Sequence, residues 1–374
     1  MNNLDLLLRY VEPINHFSIF GQNKVIVKDE WLSGKGVYTI FEHVKWMEKQ
    51  KISIKTTIEI QSKAFQSSDV INVLELLMLY LAKKFTNLFI LQFSKMKTLN
   101  KNILFLNSLL AHFDKKILNS SYVDAFYKTI YTPTHYRKIV RKKDVVGNYL
   151  CAISDDIKNI IMHGGADEKL AFDSVESMTE MVGNVAEHSD GDCIVDVKIC
   201  KNIEGKLYLC LNVISLTNIF IGDRIMELAT NDKTSDSFSG NKIVKRAYNF
   251  HSNYFDNSYD ASSFYFACSF QNSVSTRDNI KNSGGTGFTT LLRNINNKSF
   301  NQEYRSYILS GQNTIYFQND YLKVDDNGII GFNDNNDFFT NLPNNNILKK
   351  ELITFPGTIF CVNLITEEKI YETN

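Results

Sequence analysis

The spacing of apolar residues changes near Asn148, and this change most constrains how the chain can fold. Before it, a helical period over residues 69–84 is followed by a strand-like run at 87–93. After it, helical patterns lead into two apolar strands at residues 193–200 and 206–214. The first pattern predicts a small α/β domain with a partly parallel sheet, and the second predicts helices packed on a hairpin-containing sheet.

We therefore predict an α/β fold class, in the form of an α+β two-layer sandwich with two domains. A chain of 374 residues exceeds what one compact core usually holds. Residues 1–145 are predicted to form a smaller N-terminal α/β domain that regulates or binds a partner, and residues 146–374 a mixed sheet packed on helices. The polar stretch from about 222 to 282 is typical of a functional lid or a disordered loop, and we predict a lid, although its aromatic run at 264–266 is predicted to be core.

Charge balance and cysteine spacing argue against several classes of protein. The 41 basic and 41 acidic residues give no global field for nucleic acid or an anionic membrane, and the basic run at 136–144 is interpreted as a solvated strand edge or linker. The six cysteines lack C-x-x-C spacing and are interpreted as reduced core thiols. The sequence has no leader-like start and no apolar window long enough for a bilayer, so we expect a cytoplasmic protein.

Glu180 and Asn184 stand four residues apart in an otherwise apolar helical pattern, so their side chains point the same way on one helix. A carboxylate can polarise a water or hydroxyl, and an amide oxygen suits Mg²⁺. This is the pairing that a nucleoside-triphosphate site needs. Taken alone, the spacing is also typical of a helix whose polar face is simply solvated.

A glycine-rich turn runs into an apolar helical pattern further along the chain. The turn comprises Gly284, Gly285, Thr286 and Gly287. Such a turn lets the backbone approach phosphate groups and present free N–H groups to them, although an ordinary tight turn at a helix entry looks the same. Together with the Glu180 and Asn184 pair, this glycine turn leads to the hypothesis of a phosphate and metal site.

The C-terminal part is predicted to contain three short strands, a loop and a final strand. Residues 304–309, 312–318 and 321–324 are typical of an antiparallel meander. The Asn- and Asp-rich segment at 333–346 is predicted to be a mobile loop. Pro356-Gly357-Thr358 then leads into a buried final strand.

The order of these features resembles that of the GHKL (Bergerat-fold) ATPase superfamily, which includes gyrase, the ninety-kilodalton heat-shock chaperone and histidine kinases. The shared order is a helix with Glu-x-x-x-Asn, hairpin strands, a long lid, a glycine turn, a meander and a terminal Gly-Thr strand. The resemblance covers the chain after residue 145. It is nearest to the histidine-kinase-like (HATPase) and anti-sigma-factor-type ATP-binding domains, whose first motif is similar to Asn184 followed by Glu187-His188-Ser189.

This resemblance implies binding of ATP and Mg²⁺, with Glu180 as the general base or water-orienting residue and Asn184 as the Mg²⁺ ligand. It implies that the glycine turn closes over the β- and γ-phosphates and that Thr358 lies near the adenine. Arg277 would contact phosphate, because a guanidinium fork suits phosphate oxygens. The chain is then expected to be an ATPase or ATP-driven conformational switch that regulates a protein partner in bacterial signalling or defence.

The chain departs from the family's pattern at one position. The family's adenine-reading Asp, which is followed by glycines, would fall near Ser215, and this chain has no glycine in that turn. A hydroxyl can hydrogen-bond the adenine amino group but cannot supply the carboxylate's charge-assisted bond. Asp223 is a second acidic candidate nearby. Two alternatives therefore stay open: a nucleotide-free scaffold with a degenerate Bergerat fold, and an anti-sigma-type protein serine kinase.

Overall fold

The computed structural model describes residues 4–13, 24–51, 53–96, 105, 108–141, 149–188, 191–201, 207–231, 240–272, 274 and 306–366. Its strands are β1 (Lys24–Val27), β2 (Trp31–Leu32), β3 (Thr56–Ile60), β4 (Ala64–Phe65), β5 (Phe89–Phe93), β6 (Ile130–Thr132), β7 (His135–Val140), β8 (Cys193–Lys201), β9 (Leu207–Leu216), β10 (Tyr307–Tyr316) and β11 (Leu348–Thr366). Its α-helices are α1 (Gly34–Lys49), α2 (Ser68–Lys84), α3 (Leu109–His112), α4 (Ser120–Tyr127), α5 (Tyr149–His163), α6 (Glu168–His188), α7 (Asp223–Thr230), α8 (Asn241–His251) and α9 (Ala261–Cys268).

The first part of the chain is built around a parallel sheet in the order β1-β3-β5. Strand β3 pairs in parallel with β1 on one side and with β5 on the other. Parallel neighbours need a crossover connection, and helices α1 and α2 lie in the two crossovers. The predicted small α/β arrangement with parallel strands is therefore confirmed.

The second sheet has six strands in the order β10-β11-β9-β8-β7-β6. Each of its described pairings is antiparallel, whereas the sequence predicts a mixed sheet. Strands β8 and β9 pair from Cys193 opposite Ser215 to Lys201 opposite Leu207, as expected for a hairpin. Helices pack against both sheets, so the predicted fold class of helices layered on sheets is confirmed.

Strand β7 corrects the interpretation of the basic run at 136–144 over residues 136–140, whereas residues 142–144 lie outside the described residues. Residues His135–Val140 form an interior strand that pairs with β6 on one side and β8 on the other. Tyr136 and Arg137 are fully buried rather than solvated. The local pattern misled because β7 pairs with a strand fifty or more positions further along the chain, which a local window does not contain. The same pairing brings residues 130–140 into the sheet formed mainly by residues after 145.

The two faces of the antiparallel sheet carry different layers. One face, here the helical face, presents side chains such as Val195, Val213 and Phe360 to a core shared with α5, α6 and α9. The other, here the N-terminal face, presents Ile194 and Ile214 to a core shared with the first part of the chain. Helix α2 is buried from Ser68 to Ala82, because it packs against β9 as well as against α1 and α4.

The C-terminal region differs from the predicted meander. Strand β10 is continuous from Tyr307 to Tyr316, and residues 319–321 form a single 3₁₀ turn in place of a third strand. Register shifts surround Gly311, whose φ of +63° suits a bulge. The three-strand prediction was wrong because the bulge gives one strand the sequence pattern of two.

The Asn- and Asp-rich segment at 333–346 is held in place by its own side chains. The Asn333 amide donates to the carbonyl oxygens of Gly331 and Asp337, each at 2.9 Å. Phe338 is fully buried in the helical-face core. The prediction of a mobile loop is therefore wrong, because turn-forming asparagines here anchor a buried aromatic ring.

Most of the cysteines agree with the core-thiol interpretation. All six are free, and Cys193, Cys210, Cys268 and Cys361 are buried. Burial raises the pKa of the Cys193 thiol to about 12, which keeps it protonated. Cys151 and Cys200 are the exceptions, since Cys151 lies exposed on α5 and Cys200 is only partly buried.

Candidate functional site

Helix α6 positions the predicted catalytic and metal-binding pair. Glu180 and Asn184 lie one turn apart on this helix, and both are half-buried. Met178, Met181 and Val182 of the same helix are buried in the helical-face core, and the helix packs on β8 and β9. The apolar side of α6 is therefore fixed on the sheet, which leaves the Glu180 and Asn184 pair at the edge of the packed surface.

Ser215 and Thr358, far apart in sequence, are direct neighbours in the sheet. Thr358 of β11 pairs with Ser215 of β9, and Ser215 pairs with Cys193 of β8 on its other side. Thr358 also hydrogen-bonds Ser310 of β10, at 2.9 Å between the two hydroxyl oxygens. The structure thus brings together the two residues that the resemblance assigns to the adenine end of a nucleotide site.

These hydroxyl groups lie on the same face of the sheet as α6. Side chains alternate across a strand, and Ile214 and Ile359, the immediate neighbours of Ser215 and Thr358, belong to the N-terminal-face core. Ser215 and Thr358 therefore project to the helical face. Ser215 is fully buried, and its hydroxyl oxygen finds no hydrogen-bond partner among the described residues.

The loop after β9 is held by its own hydrogen bonds. The Asp223 carboxylate accepts from the backbone N–H of Phe220 at 2.8 Å, and the Thr217 hydroxyl accepts from the N–H of Ile219 at 3.0 Å. Burial raises the pKa of Asp223, and the Phe220 N–H opposes that shift. Asp223 thus closes the turn that leads into α7, so it is a poorer candidate for reading adenine than the sequence suggests.

The phosphate side of the predicted site falls in a part of the chain without a structural description. Arg277 lies outside the described residues, as do Gly284, Gly285, Thr286 and Gly287. Their assignment stays a prediction from the sequence.

The predicted lid, residues 222–282, contains both surface and core elements. Helix α7 buries only Ile225, and α8 buries one side of its surface. Helix α9 is buried from Ser263 to Cys268, which confirms that the aromatic run is core. Because α9 lies inside the helical-face core, a nucleotide-driven movement of this region would have to leave α9 in place.

The sequence analysis missed a line of polar side chains on the N-terminal face. Successive cross-strand partners run from β7 to β10 in direct register, and we call them the polar row. The polar row is Arg137, Asp196, Asn212, Cys361 and Tyr307. All but Tyr307 are fully buried. A sheet face covered by another layer normally carries apolar residues, so this row needs polar partners.

Those partners come from the next row of the sheet and from α2. Asp196 accepts from His135 at 2.8 Å and pairs with Lys198 at 3.1 Å. Arg137 pairs with Glu75 of α2, at 3.2 Å between nitrogen and oxygen. The signal in the sequence was Asn72 and Glu75, three positions apart inside an otherwise apolar helix.

No family model matches this chain, and neither a curated protein nor a solved structure does. Among the described helices, none is both long and apolar enough to cross a membrane. Within the same described residues, no group of three or more His, Cys, Asp or Glu side chains is placed to hold a metal ion.

A first prediction concerns Gly183, which lies between Glu180 and Asn184 on α6. A Cβ at this position would meet nothing within 4 Å beyond the helix's own backbone. Gly183→Ala is therefore expected to raise the free energy of unfolding by about 0.5–1 kcal/mol, because alanine loses less backbone entropy in a helix. Urea denaturation followed by circular dichroism measures the change.

Gly222→Ala is the control with the opposite sign. Gly222 has a φ of +94°, and an added Cβ would lie 2.7 Å from the backbone nitrogen of Phe266. This variant is expected to be destabilised. A loss of stability in Gly183→Ala would instead show that α6 is closely packed beside the candidate pair.

Proposed function

We propose that the part of the chain after residue 145 binds ATP and Mg²⁺ in the manner of a GHKL-type domain, and that binding switches what the protein contacts. The observation that carries this proposal is the pairing of Ser215 with Thr358 on the face of the sheet that also carries α6. Glu180 and Asn184 lie on that helix, so all four candidate residues lie on the same side of the sheet.

Each candidate residue has a role in this proposal. Asn184 supplies an amide oxygen to Mg²⁺, which prefers oxygen ligands and keeps several waters. Glu180 orients the attacking water as a general base. Thr358 and Ser215 supply hydroxyl groups at the base end. With a single carboxylate as the chemical group, turnover is expected to be slow, and the bound nucleotide acts mainly by stabilising one conformation of the protein.

The burial of Ser215 favours a second candidate function. An adenine could reach the Ser215 hydroxyl only if the layer above it moved, because the side chain is fully buried. The alternative is a scaffold that has kept the sandwich and lost the nucleotide. Its prediction is that neither ATP nor ADP changes the melting temperature or releases heat on titration.

The test is titration calorimetry with Mg-ATP on the wild-type chain and on Asn184→Ala. The variant is expected to lose about tenfold or more of the Mg²⁺-dependent affinity, which corresponds to about 1.4 kcal/mol of lost metal interaction. Glu180→Gln is the matched variant on the same helix. It is expected to bind Mg-ATP with wild-type affinity and to hydrolyse it about 100-fold more slowly. Equal Mg²⁺-dependent affinity in the wild type and Asn184→Ala would remove the assigned site.

A further inference from the structure

We infer that helix α2 is a regulatory element that sets the position of β9 and β11 through the polar row. The inference deepens the proposed function and rests on it for its effect on nucleotide binding. Helix α2 carries four buried polar residues, here the α2 stripe, and three of them contact the N-terminal face of the sheet. The α2 stripe is Ser68, Asp69, Asn72 and Glu75, all fully buried.

Contacts at the start of α2 reach the centre of the sheet. The Ser68 hydroxyl accepts from the Lys198 ammonium at 3.2 Å and from the Asn212 amide at 3.0 Å. Asp69 accepts from the Tyr307 hydroxyl and from the Cys361 thiol, the latter at 3.4 Å. One turn of helix thus bonds to β8, β9, β10 and β11 together, which ties their relative positions to its own.

About two turns further on, Glu75 ties α2 to β7. The Arg137 guanidinium that pairs with it also lies over the Phe126 ring of α4, 4.4 Å from the centroid, and donates to the Phe126 carbonyl at 3.4 Å. The other Glu75 oxygen accepts from the N–H of Leu109 at 3.0 Å. This ion pair therefore joins three helices of the N-terminal part to the sheet.

The position of α2 on the sheet depends on a few polar contacts. Buried ion pairs depend strongly on both partners, because removal of one partner leaves an uncompensated buried charge. Asn72, in the middle of the α2 stripe, has no hydrogen-bond partner among the described residues for either side-chain polar atom. Between these polar contacts α2 is packed by fully buried apolar side chains such as Ile71, Leu74 and Leu77, so the polar contacts decide where the helix lies on the sheet.

The hydroxyl groups of the candidate nucleotide site lie on the opposite face of the sheet from α2. Ile214 and Leu216 flank Ser215, and Ile359 follows Thr358; all three pack in the core that contains α2. A shift of α2 must repack these three side chains, and the backbone that carries them also carries the site hydroxyls. The polar row thus couples the N-terminal part to Ser215 and Thr358.

The test is amide hydrogen exchange of the full chain with Arg137→Met, Glu75→Leu and the double variant. Each single variant leaves one buried charge unpaired. Exchange in α2 is expected to rise on the order of a hundredfold, with a parallel rise in β9 and β11 around Ser215 and Thr358. The double variant, which has no unpaired charge, is expected to recover most of the protection. Lys63→Met, which breaks the exposed ion pair with Glu30, is the control and is expected to leave both regions unchanged.

Faster exchange in α2 with wild-type rates in β9 and β11 would overturn the coupling, as would a double variant no better than the single ones. If the single variants do not fold, Ser68→Ala replaces them, since it removes the shared hydroxyl acceptor without leaving a charge unpaired. About tenfold faster exchange in both regions is then expected.

Calorimetry with Mg-ATP on the same samples separates the two proposals. A wild type without nucleotide binding refutes the proposed function, whereas the exchange pattern alone decides the coupling.

Discussion

Asp196→Asn is expected to lower the free energy of unfolding by about 3–5 kcal/mol at neutral pH. The carboxylate is completely buried and is the shared partner of Lys198 and His135 in the sheet. Removing its charge leaves the Lys198 ammonium, whose side chain is 4% exposed, without a counter-ion among these partners. Guanidinium denaturation followed by tryptophan fluorescence and circular dichroism measures the loss.

The same residue predicts how stability depends on pH. Burial alone would raise the pKa of Asp196, but Lys198 and His135, with Arg137, hold this pKa well below its usual value. In the unfolded chain the group titrates at about pH 4. The stabilisation is therefore present above about pH 4 and is lost as the pH falls below it, because the unfolded state then binds the proton first. The stability difference between the wild type and Asp196→Asn is expected to shrink in this acid range.

Glu30→Gln is the control. Like Asp196→Asn it removes one negative charge, but from an exposed ion pair with Lys63. It is expected to leave the free energy of unfolding nearly unchanged, because an ion pair this exposed is screened by solvent. A loss of similar size in both variants would show that net charge, and not the buried contacts, is responsible. A difference between wild type and Asp196→Asn that stays constant down to pH 2 would refute the assigned pKa shift.

The sequence predicted the long elements of this fold because their periodicity is local. The helix predicted over 69–84 is α2, residues 68–84, and the strands predicted at 193–200 and 206–214 are β8 and β9 within two residues. Each carries enough apolar residues at one spacing to specify its own type. Pairing between distant segments was not predictable in this way, and for that reason β7 was interpreted as an exposed edge.

The polar row shows a second limit. Asp196 and Lys198 alternate with Val195 and Val197, and such a pattern correctly predicts which side chains share a face of a strand. It does not say whether the polar face meets water or another layer. Here α2 covers that face, so Asp196 and Lys198 lie at the centre of an interface.

For the candidate site, the sequence placed Glu180 and Asn184 on one helix, and the structure agrees. It assigned Ser215 and Thr358 to the same end of a site only through the resemblance, and their direct pairing is a tertiary contact that local patterns do not contain. The burial of Ser215 was also beyond the sequence, because the layer above it is built from segments on both sides of β10.

Gly357→Ala is expected to lower the free energy of unfolding by about 3 kcal/mol and to separate Ser215 from Thr358. Gly357 pairs with Leu216, and an added Cβ would lie 1.9 Å from the carbonyl oxygen of Ser215. Because this atom belongs to the backbone of β9, it cannot move aside without parting the two strands. Chemical denaturation measures the stability, and the exchange rate of the Thr217 amide, which donates to the Pro356 carbonyl at 3.1 Å, reports on the strand contact.

Gly34→Ala provides the comparison, since an added Cβ at that position meets nothing within 4 Å and lies in the first turn of α1. It is expected to leave the Thr217 amide unchanged and to raise stability by up to about 1 kcal/mol. If the proposed function is correct, Gly357→Ala also weakens Mg-ATP binding by the folded protein, beyond the loss that a smaller folded fraction would cause. The reason is that the hydroxyl groups of Ser215 and Thr358 shift together. A folded Gly357→Ala variant with wild-type stability and wild-type exchange at Thr217 would show that β9 and β11 are not held in this register. That result would also remove the pairing of Ser215 with Thr358, on which the candidate site depends.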